Sequence, residues 1–376
     1  MEVNSAHTQT SKRKIVHISS AHNDRDVRIF LKECRSLAKA FPDAEVHLIL
    51  AGVEERIEDL VHIHSVPKRT GSRLKRMWTT VNQVAHKAKN LNGDVYHLHD
   101  PELLRVAFSL KRGEKKVIYD AHEDLPRQIK GKAYLPMKGF FSFVMELVED
   151  FVCKRLDGVI TATPYIAERF KKAHPNTIDI NNFPLENEIE VISETSKSKE
   201  NSVCFIGGIS PIRGTKELVD AMAFVDCQLA LAGEIPLDFE LMLKESNGWK
   251  NVQALGFIDR QKSLEIKQHS IAGIVTFLPY PNHINAQPNK IFEYMAAGLP
   301  VIGSNFPLWK DLLEKNACGI CVDPSNPIEI AKAIQFIQSQ PEEARKMGEN
   351  GRRLVQEIYN WKAEETKLIH FYQSIL

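Results

Sequence analysis

The sequence predicts an α/β protein built from two parallel-sheet units, and three observations carry that expectation. Short apolar, β-branched runs recur along all 376 residues, each ending in a small or polar turn, with helical patterns between them. The runs are continuous rather than alternating, which fits strands buried on both faces. An acidic, polar stretch at 185–201 (LENEIEVISETSKSKEN) divides the chain near its middle and reads as a linker.

In the first half the spacing predicts strands at Ile15–Ser19, Val46–Leu50, Val95–Leu98, Val117–Tyr119, Val159–Thr161 and Ile178–Ile180. In the second half it predicts Val203–Ile206, Gln228–Ala232, Val252–Leu255, Ile274–Phe277, Val301–Gly303 and Gly319–Val322. Residues 1–13 read as a disordered tail, 14–184 as the first domain and 202–355 as the second. Parallel sheets bind ligands beyond the carboxyl ends of their strands. The informative polar residues are therefore those just after each run, lining a cleft between two such domains.

Composition narrows the function. Lysine and arginine total 49 against 48 aspartates and glutamates, so the chain lacks the basic excess of a protein that coats nucleic acid. Apolar residues make up 43% and charged residues 26%, an ordinary folded mixture. No apolar run reaches the roughly 18 residues of a membrane span. The opening MEVNSAHTQTSKRK lacks the apolar core of a secretory signal, so a cytoplasmic protein is expected. Six cysteines lie too far apart for a disulfide framework, and Cys318-x-x-Cys321, without a second pair, reads as buried thiols.

Charge is uneven. Residues 1–190 hold 30 basic and 26 acidic side chains, and residues 191–376 hold 19 and 22. Between Leu60 and Gly93 there is no acidic residue, while Lys68, Arg69, Arg73, Lys75, Arg76, Lys87 and Lys89 are present. Within that segment Leu74, Met77, Trp78, Val81, Val84, Ala85 and Ala88 fall on one helical face. Two readings stay open: a surface helix drawn to anionic lipid, with Trp78 at the interface, or a helix packed on the sheet. Phe140–Phe151, preceded by Lys130, Lys132 and Lys138, poses the same choice.

Two motifs carry chemistry. In NAQPNKIFEYMAAGLPVIGS, Asn285 to Ser304, a helix is expected to start with Asn289 as its N-cap. Free amides and the positive dipole end there suit a phosphate, and Lys290 adds a charge. Glu293, one turn on, can accept two hydrogen bonds from a vicinal diol such as a ribose. In FIGGISPIRGTKELVDAM, Phe205 to Met222, a strand ends at Gly207-Gly208 and a helix begins near Thr215. Glycines let backbone amides approach an anion, and Arg213 can fork two hydrogen bonds to a phosphate.

In the first half, His122 lies just beyond a strand, and His99 and Asp100 end another. The charged loop from His22 to Arg28 offers Asp26 and Arg28 either to orient an acceptor or to cap the following helix.

Taken together, these motifs resemble the GT-B glycosyltransferases of family 4, in a bacterial subgroup that builds surface polysaccharides. VHISSAHNDRDVRIFLKECRSLA, VYHLHDPEL and VIYDAHEDLP in the first half resemble the same enzymes. The resemblance implies two Rossmann-like domains facing across a cleft, with a last segment, 356–376, crossing back to the first. It assigns Arg213-Gly214 to the donor diphosphate, Glu293 to the donor ribose and His122 to the transferred sugar. Catalysis then rests on His122, Arg213, Lys290 and Glu293. Donor binding adds Gly207, Gly208, Asn285 and Asn289, and acceptor binding takes Asp26, Arg28 and His99.

Two positions depart from the family pattern. Asn285 stands where the first glutamate of the E-x7-E signature falls, and Gly208 replaces a common arginine, leaving Arg213 and Lys290 to carry the cationic charge. The implied reaction moves a sugar from a nucleotide donor, UDP-linked in preference to GDP-linked, to a saccharide or polyprenyl-linked saccharide with retention. No cofactor or metal is expected, because helix dipole and basic side chains replace the cation. The expected partners are that donor and acceptor and an anionic membrane surface, not nucleic acid. The alternatives are a sugar-nucleotide epimerase of the same architecture and a non-catalytic sugar-nucleotide-binding subunit.

Overall fold

The apolar runs assemble into two separate sheets. The computed structural model describes residues 12–68, 73–131, 136–186, 188 and 200–376. One unit comprises the chain through Asn181 together with Glu365–Leu376, and the other is Asn182–Glu364.

The first unit holds β1 (Arg13–Ile18), β2 (Ala44–Ala51), β3 (Arg56–Glu58), β4 (Val61–Val66), β5 (Val95–Leu98), β6 (Lys116–Ala121), β7 (Gly158–Thr161) and β8 (Thr177–Asp179). They form one sheet in the order β3-β4-β2-β1-β5-β6-β7-β8. Every neighbouring pair is parallel except the edge hairpin β3–β4. The strand order reverses between β1 and β5, which makes their carboxyl ends the place for a ligand. Val16, Ile18, Tyr96, Leu98, Val117 and Tyr119 build the core on one side of this sheet.

Two strands here differ from the expectation. β3 and β4 were not predicted, because Val61–Val66 reads VHIHSV and its histidines interrupt the apolar run. Instead His64 Nε2 meets Nδ1 of His47 in β2 at 2.9 Å. β1 also begins at Arg13, inside the expected tail. Residues 1–11, Arg69, Lys132 and most of the expected linker lie outside the described residues.

The helix Arg73–Leu91 packs its stripe inward: Val81, Val84, Ala85 and Ala88 are buried. Trp78 is exposed, but the Arg105 guanidinium stacks 4.0 Å from its ring centre and donates to its carbonyl at 2.7 Å. The stripe is thus the sheet-packing face. The side chains of residues 73–76 lie outside the description.

The second unit holds β9 (Ser202–Ile206), β10 (Gln228–Ala232), β11 (Val252–Gly256), β12 (Ala272–Val275), β13 (Val301–Ser304) and β14 (Gly319–Val322). All neighbours are parallel in the order β11-β10-β9-β12-β13-β14, with the reversal between β9 and β12. Val203 and Phe205 enter one core while Cys204 and Ile206 enter the other, so the central strand is covered on both faces. This unit extends past the expected boundary at 355: Trp361 N donates to Pro184 O at 2.8 Å.

The terminal helix Trp361–Ile375 completes the first unit from Glu365 onward. Leu368 is fully buried, and a Cβ on Gly158 of β7 would meet the Phe371 ring at 2.4 Å. Truncating Leu368 to alanine leaves a cavity beneath that helix. Urea unfolding of Leu368→Ala is expected to show a loss of about 3 kcal/mol; an unchanged transition would mean the helix is not integral to the unit.

Candidate functional site

The second unit gathers cations over the end of its central strand. Ile206 N donates to the buried Tyr294 hydroxyl at 2.9 Å, and Gly207 N donates to Ala232 O at 2.8 Å. Gly207 then turns with φ +140°, a backbone state that side chains rarely adopt. A Cβ there would lie 3.4 Å from Lys290 Cε and 3.8 Å from Arg213 Nη1. Both cationic side chains therefore converge on one point above the turn. Arg213 Nη1 also donates to Gly208 O at 3.2 Å, and its guanidinium lies 5.3 Å from the Phe277 ring centre.

Gly214 fixes that arginine. Its φ is +67°, and a Cβ would sit 1.9 Å from Thr276 O, so only glycine lets the chain pass before the helix Thr215–Ala221 begins.

The helix Asn289–Ala296 supplies the other wall. Asn289 is its first helical residue rather than its cap; Pro288 takes the cap position and no side chain caps the amides. The proline ring presets the backbone dihedral at that place, which displaces the expected asparagine cap by one residue. Lys290 Nζ lies 2.8 Å from Glu293 Oε2, and Lys267 Nζ lies 3.4 Å from the same oxygen. Burial would raise the Glu293 carboxyl, but the two ammonium groups override it and bring it down to about 2. Glu293 is thus ionised at neutral pH, an acceptor for hydroxyl groups.

Lys267 was not found from the sequence. It lies in the helix Arg260–His269, buried, and no local pattern links it to a glutamate 26 residues on. Asn285 is half-buried in the loop before the helix, where Trp309 Nε1 donates to Ala286 O at 2.8 Å.

A second polar cluster occupies the carboxyl ends of β1, β5 and β6 in the first unit. Asp120 is fully buried and accepts a bidentate pair from Arg28, Nε at 2.9 Å and Nη2 at 2.7 Å. His122 Nε2 reaches Asp120 Oδ2 at 2.9 Å and His99 Nδ1 reaches it at 3.3 Å. Burial opposes its charge, yet Arg28 and His122 hold the Asp120 carboxyl well below its usual range.

This geometry reassigns two expected acceptor residues. Arg28 is buried, donates to Ile180 O at 2.6 Å and faces Glu33 at 3.1 Å, so its guanidinium is used inside the fold. Asp26 Oδ1 accepts from Ile29 N at 2.9 Å and caps the π-helical segment Val27–Cys34. His99 is buried as well, held between Asp120 and the rings of His17, His97 and His122. Asp24, the other acid of Asp24-Arg25-Asp26, pairs with Arg56 at 2.8 Å. Of the first-half candidates, His122 alone keeps a partly exposed ring. Asp120, invisible from sequence because it lies within a strand, orients that ring.

Carboxylates only accept, so Nε2 of His122 and Nδ1 of His99 carry protons. His99 Nε2 is then free to accept from His17 Nδ1 at 2.8 Å, and His97 Nδ1 meets the Tyr372 hydroxyl at 2.8 Å. Burial lowers His17 and His97 well below 6.5 and brings His99 down to about 3, so these rings are neutral. Among the described residues, two groups bring donor atoms within 4.8 Å of one another: His17, Glu33, His97 and His99, and His99, Asp120 and His122. A metal in either would compete with the hydrogen bonds already made there. Cys318 and Cys321 are free thiols, pushed by burial to about 11 and about 12.

Two family models divide the chain between them: Glycosyltransferase Family 4 matches residues 34–180, and Glycosyl transferases group 1 matches residues 187–354. The chain belongs to glycosyltransferase family 4. It is 25% identical over 159 residues to the D-rhamnosyltransferase WbpZ of Pseudomonas aeruginosa, covering 41% of this chain and 40% of that one. The chain spans about half the length of the first curated relatives it matches. Among solved structures it is similar to sucrose-phosphate synthase from Thermosynechococcus elongatus, with a TM-score of 0.76 at 19% identity over 97% of this chain and 99% of that one. Anabaena HepE in complex with UDP-glucose gives a TM-score of 0.70 at 16% identity, over 96% of this chain and 99% of that one. These likenesses show the GT-B fold.

For Glu293 the pH dependence has a definite sign. The Glu293 value of about 2 lies below its ordinary 4.5, so its pairing adds stability above pH 4.5 that is lost as pH falls toward 2. Glu293→Gln is expected to be less stable than wild type at neutral pH, with the difference shrinking across that window. Urea unfolding of both proteins at several pH values checks this; a pH-independent difference would contradict it.

Proposed function

We propose that this family 4 protein is a retaining glycosyltransferase that moves a sugar from a nucleotide donor to a glycan acceptor. The observation that carries the reading is the convergence of Arg213 and Lys290 above the Gly207-Gly208 turn, with an ionised Glu293 one helical turn away. In this reading the cations hold the donor diphosphate and Glu293 accepts from the ribose hydroxyls. The bond from the sugar's anomeric carbon to the β-phosphate oxygen breaks, and negative charge grows on that phosphate. Fixed cations aimed there stabilise the transition state more than the ground state. The acceptor oxygen forms the new bond on the same face and gives its proton to the departing phosphate. His122 is the group proposed to hydrogen-bond the transferred sugar.

A UDP-sugar is the favoured donor, supported by the UDP-glucose complex of the similar Anabaena protein, and a GDP-sugar is the second choice. The acceptor is proposed to be a saccharide or polyprenyl-linked saccharide of a surface polysaccharide, with the protein peripheral on the cytoplasmic face of a membrane. No cofactor takes part in this reading, because Arg213 and Lys290 supply the charge a divalent cation would bring.

Arg213→Ala is expected to slow transfer by about 100- to 1000-fold, the cost of a lost oxyanion-type donor. Product formation from radiolabelled sugar nucleotides measures this, and near wild-type rates in both Arg213→Ala and Glu293→Ala would refute the site. EDTA is expected to leave the wild-type rate unchanged; a loss restored by Mg²⁺ or Mn²⁺ would contradict the metal-free reading.

A further inference from the structure

The helix Lys138–Cys153 presents a continuous apolar face to solvent. Phe140, Phe141, Phe143, Leu147, Val148 and Phe151 are all exposed, between 44% and 60%. At 3.6 residues per turn they share one side of the helix. Phe108 extends the patch, meeting Phe151 edge to face with ring centres 6.4 Å apart. Glu149 lies on the other side, paired with Arg169 at 2.7 Å, while Glu146, paired with Arg127 at 2.6 Å, and the half-buried Asp150 border one edge of the stripe. Among the described residues of this segment, the charges that share the apolar side are Lys154 and Arg155, exposed at its carboxyl end. The Arg155 guanidinium lies 3.8 Å from the Phe151 ring centre.

We infer that this aromatic face docks on an anionic lipid bilayer. It deepens the peripheral-membrane reading above and rests on it for its purpose, but its surface is separate from the donor site. A patch of this kind on a soluble surface marks an interaction. Its chemistry fits lipid: an unbroken apolar stripe to enter the acyl boundary, no exposed carboxylate within it, and cations at the rim for lipid phosphates. Ser142, the hydroxyl-bearing residue within the stripe's span, is turned inward and donates to Pro126 O at 2.7 Å. The face therefore offers a protein partner little to hydrogen-bond. The membrane-facing element is thus this helix rather than the basic helix at 73–91, whose Val81, Val84, Ala85 and Ala88 are buried.

The test uses the full chain with vesicles of phosphatidylcholine alone and of phosphatidylcholine with phosphatidylglycerol. Co-sedimentation is expected with the anionic vesicles and to be much weaker with the neutral ones. The triple variant Phe140→Ser, Phe143→Ser, Leu147→Ser is expected to bind at least about tenfold more weakly, since three large apolar side chains leave the interface. Its unchanged thermal melt would show an intact fold, because all three side chains are already more than half exposed. Lys154→Glu is expected to reduce binding to anionic vesicles only. Wild-type protein that stays in the supernatant, or a triple variant that binds as well as wild type, would overturn the inference. So would a dimer in sedimentation equilibrium that the triple substitution dissolves while vesicles fail to bind, since the face would then join two copies. UDP titrated into wild type and the triple variant separates the two readings: failure of nucleotide binding in wild type would sink the transfer proposal and leave the vesicle result standing.

Discussion

The second unit is governed by one constraint: its central strand must turn sharply beneath two cations without a side chain in the way. Gly207 at φ +140° makes the turn, and a Cβ on Gly233 would lie 2.0 Å from Gly207 O, so the next strand must also yield space. Gly214 passes equally close to Thr276 O and thereby fixes where Arg213 can reach. Each glycine weakens the fold by its backbone entropy. In the proposed function, what the arrangement gains is an anion site formed before any ligand arrives, since preorganisation of this kind lets charges act on a transition state.

The ionic trio of Lys267, Glu293 and Lys290 follows from the same constraint. Two lysines share one carboxylate oxygen, which leaves a net positive charge beside the turn. Their attraction exceeds the cost of burying Glu293, so the trio adds stability wherever that carboxylate is ionised. It also keeps Lys290 directed toward the glycines. Asp120 plays the matching part in the first unit: it compensates Arg28, fixes the tautomers of His99 and His122, and through them orders a row of neutral histidines.

Most of the architecture was legible in the sequence because strands buried on both faces leave continuous apolar runs. Where burial alternated with polar pairing, as in VHIHSV, the signal vanished, and β4 is recognisable only from its parallel ladder with β2, across which His64 meets His47. Arg213, Lys290 and Glu293 were readable because each lies in a local pattern of turn or helix start. Lys267 and Asp120 were not, since their roles depend on partners distant in sequence. The expectation for Arg28 failed for a related reason: a charged residue in a charged loop looks exposed, and only the fold reveals the buried carboxylate that draws it inward. The same limit applied to Phe140–Phe151, whose aromatic count suits a core or a surface equally until exposure is known.

In the proposed function the Gly207-Gly208 turn, with Arg213 and Lys290, recognises a nucleoside diphosphate. Titration calorimetry with UDP, GDP and their monophosphates isolates that recognition from acceptor and chemistry. The preferred diphosphate is expected to bind at least about tenfold more tightly than its own monophosphate, because charge-assisted hydrogen bonds to the second phosphate are lost with it. Equal affinity for the two, or no binding of either diphosphate, would contradict it.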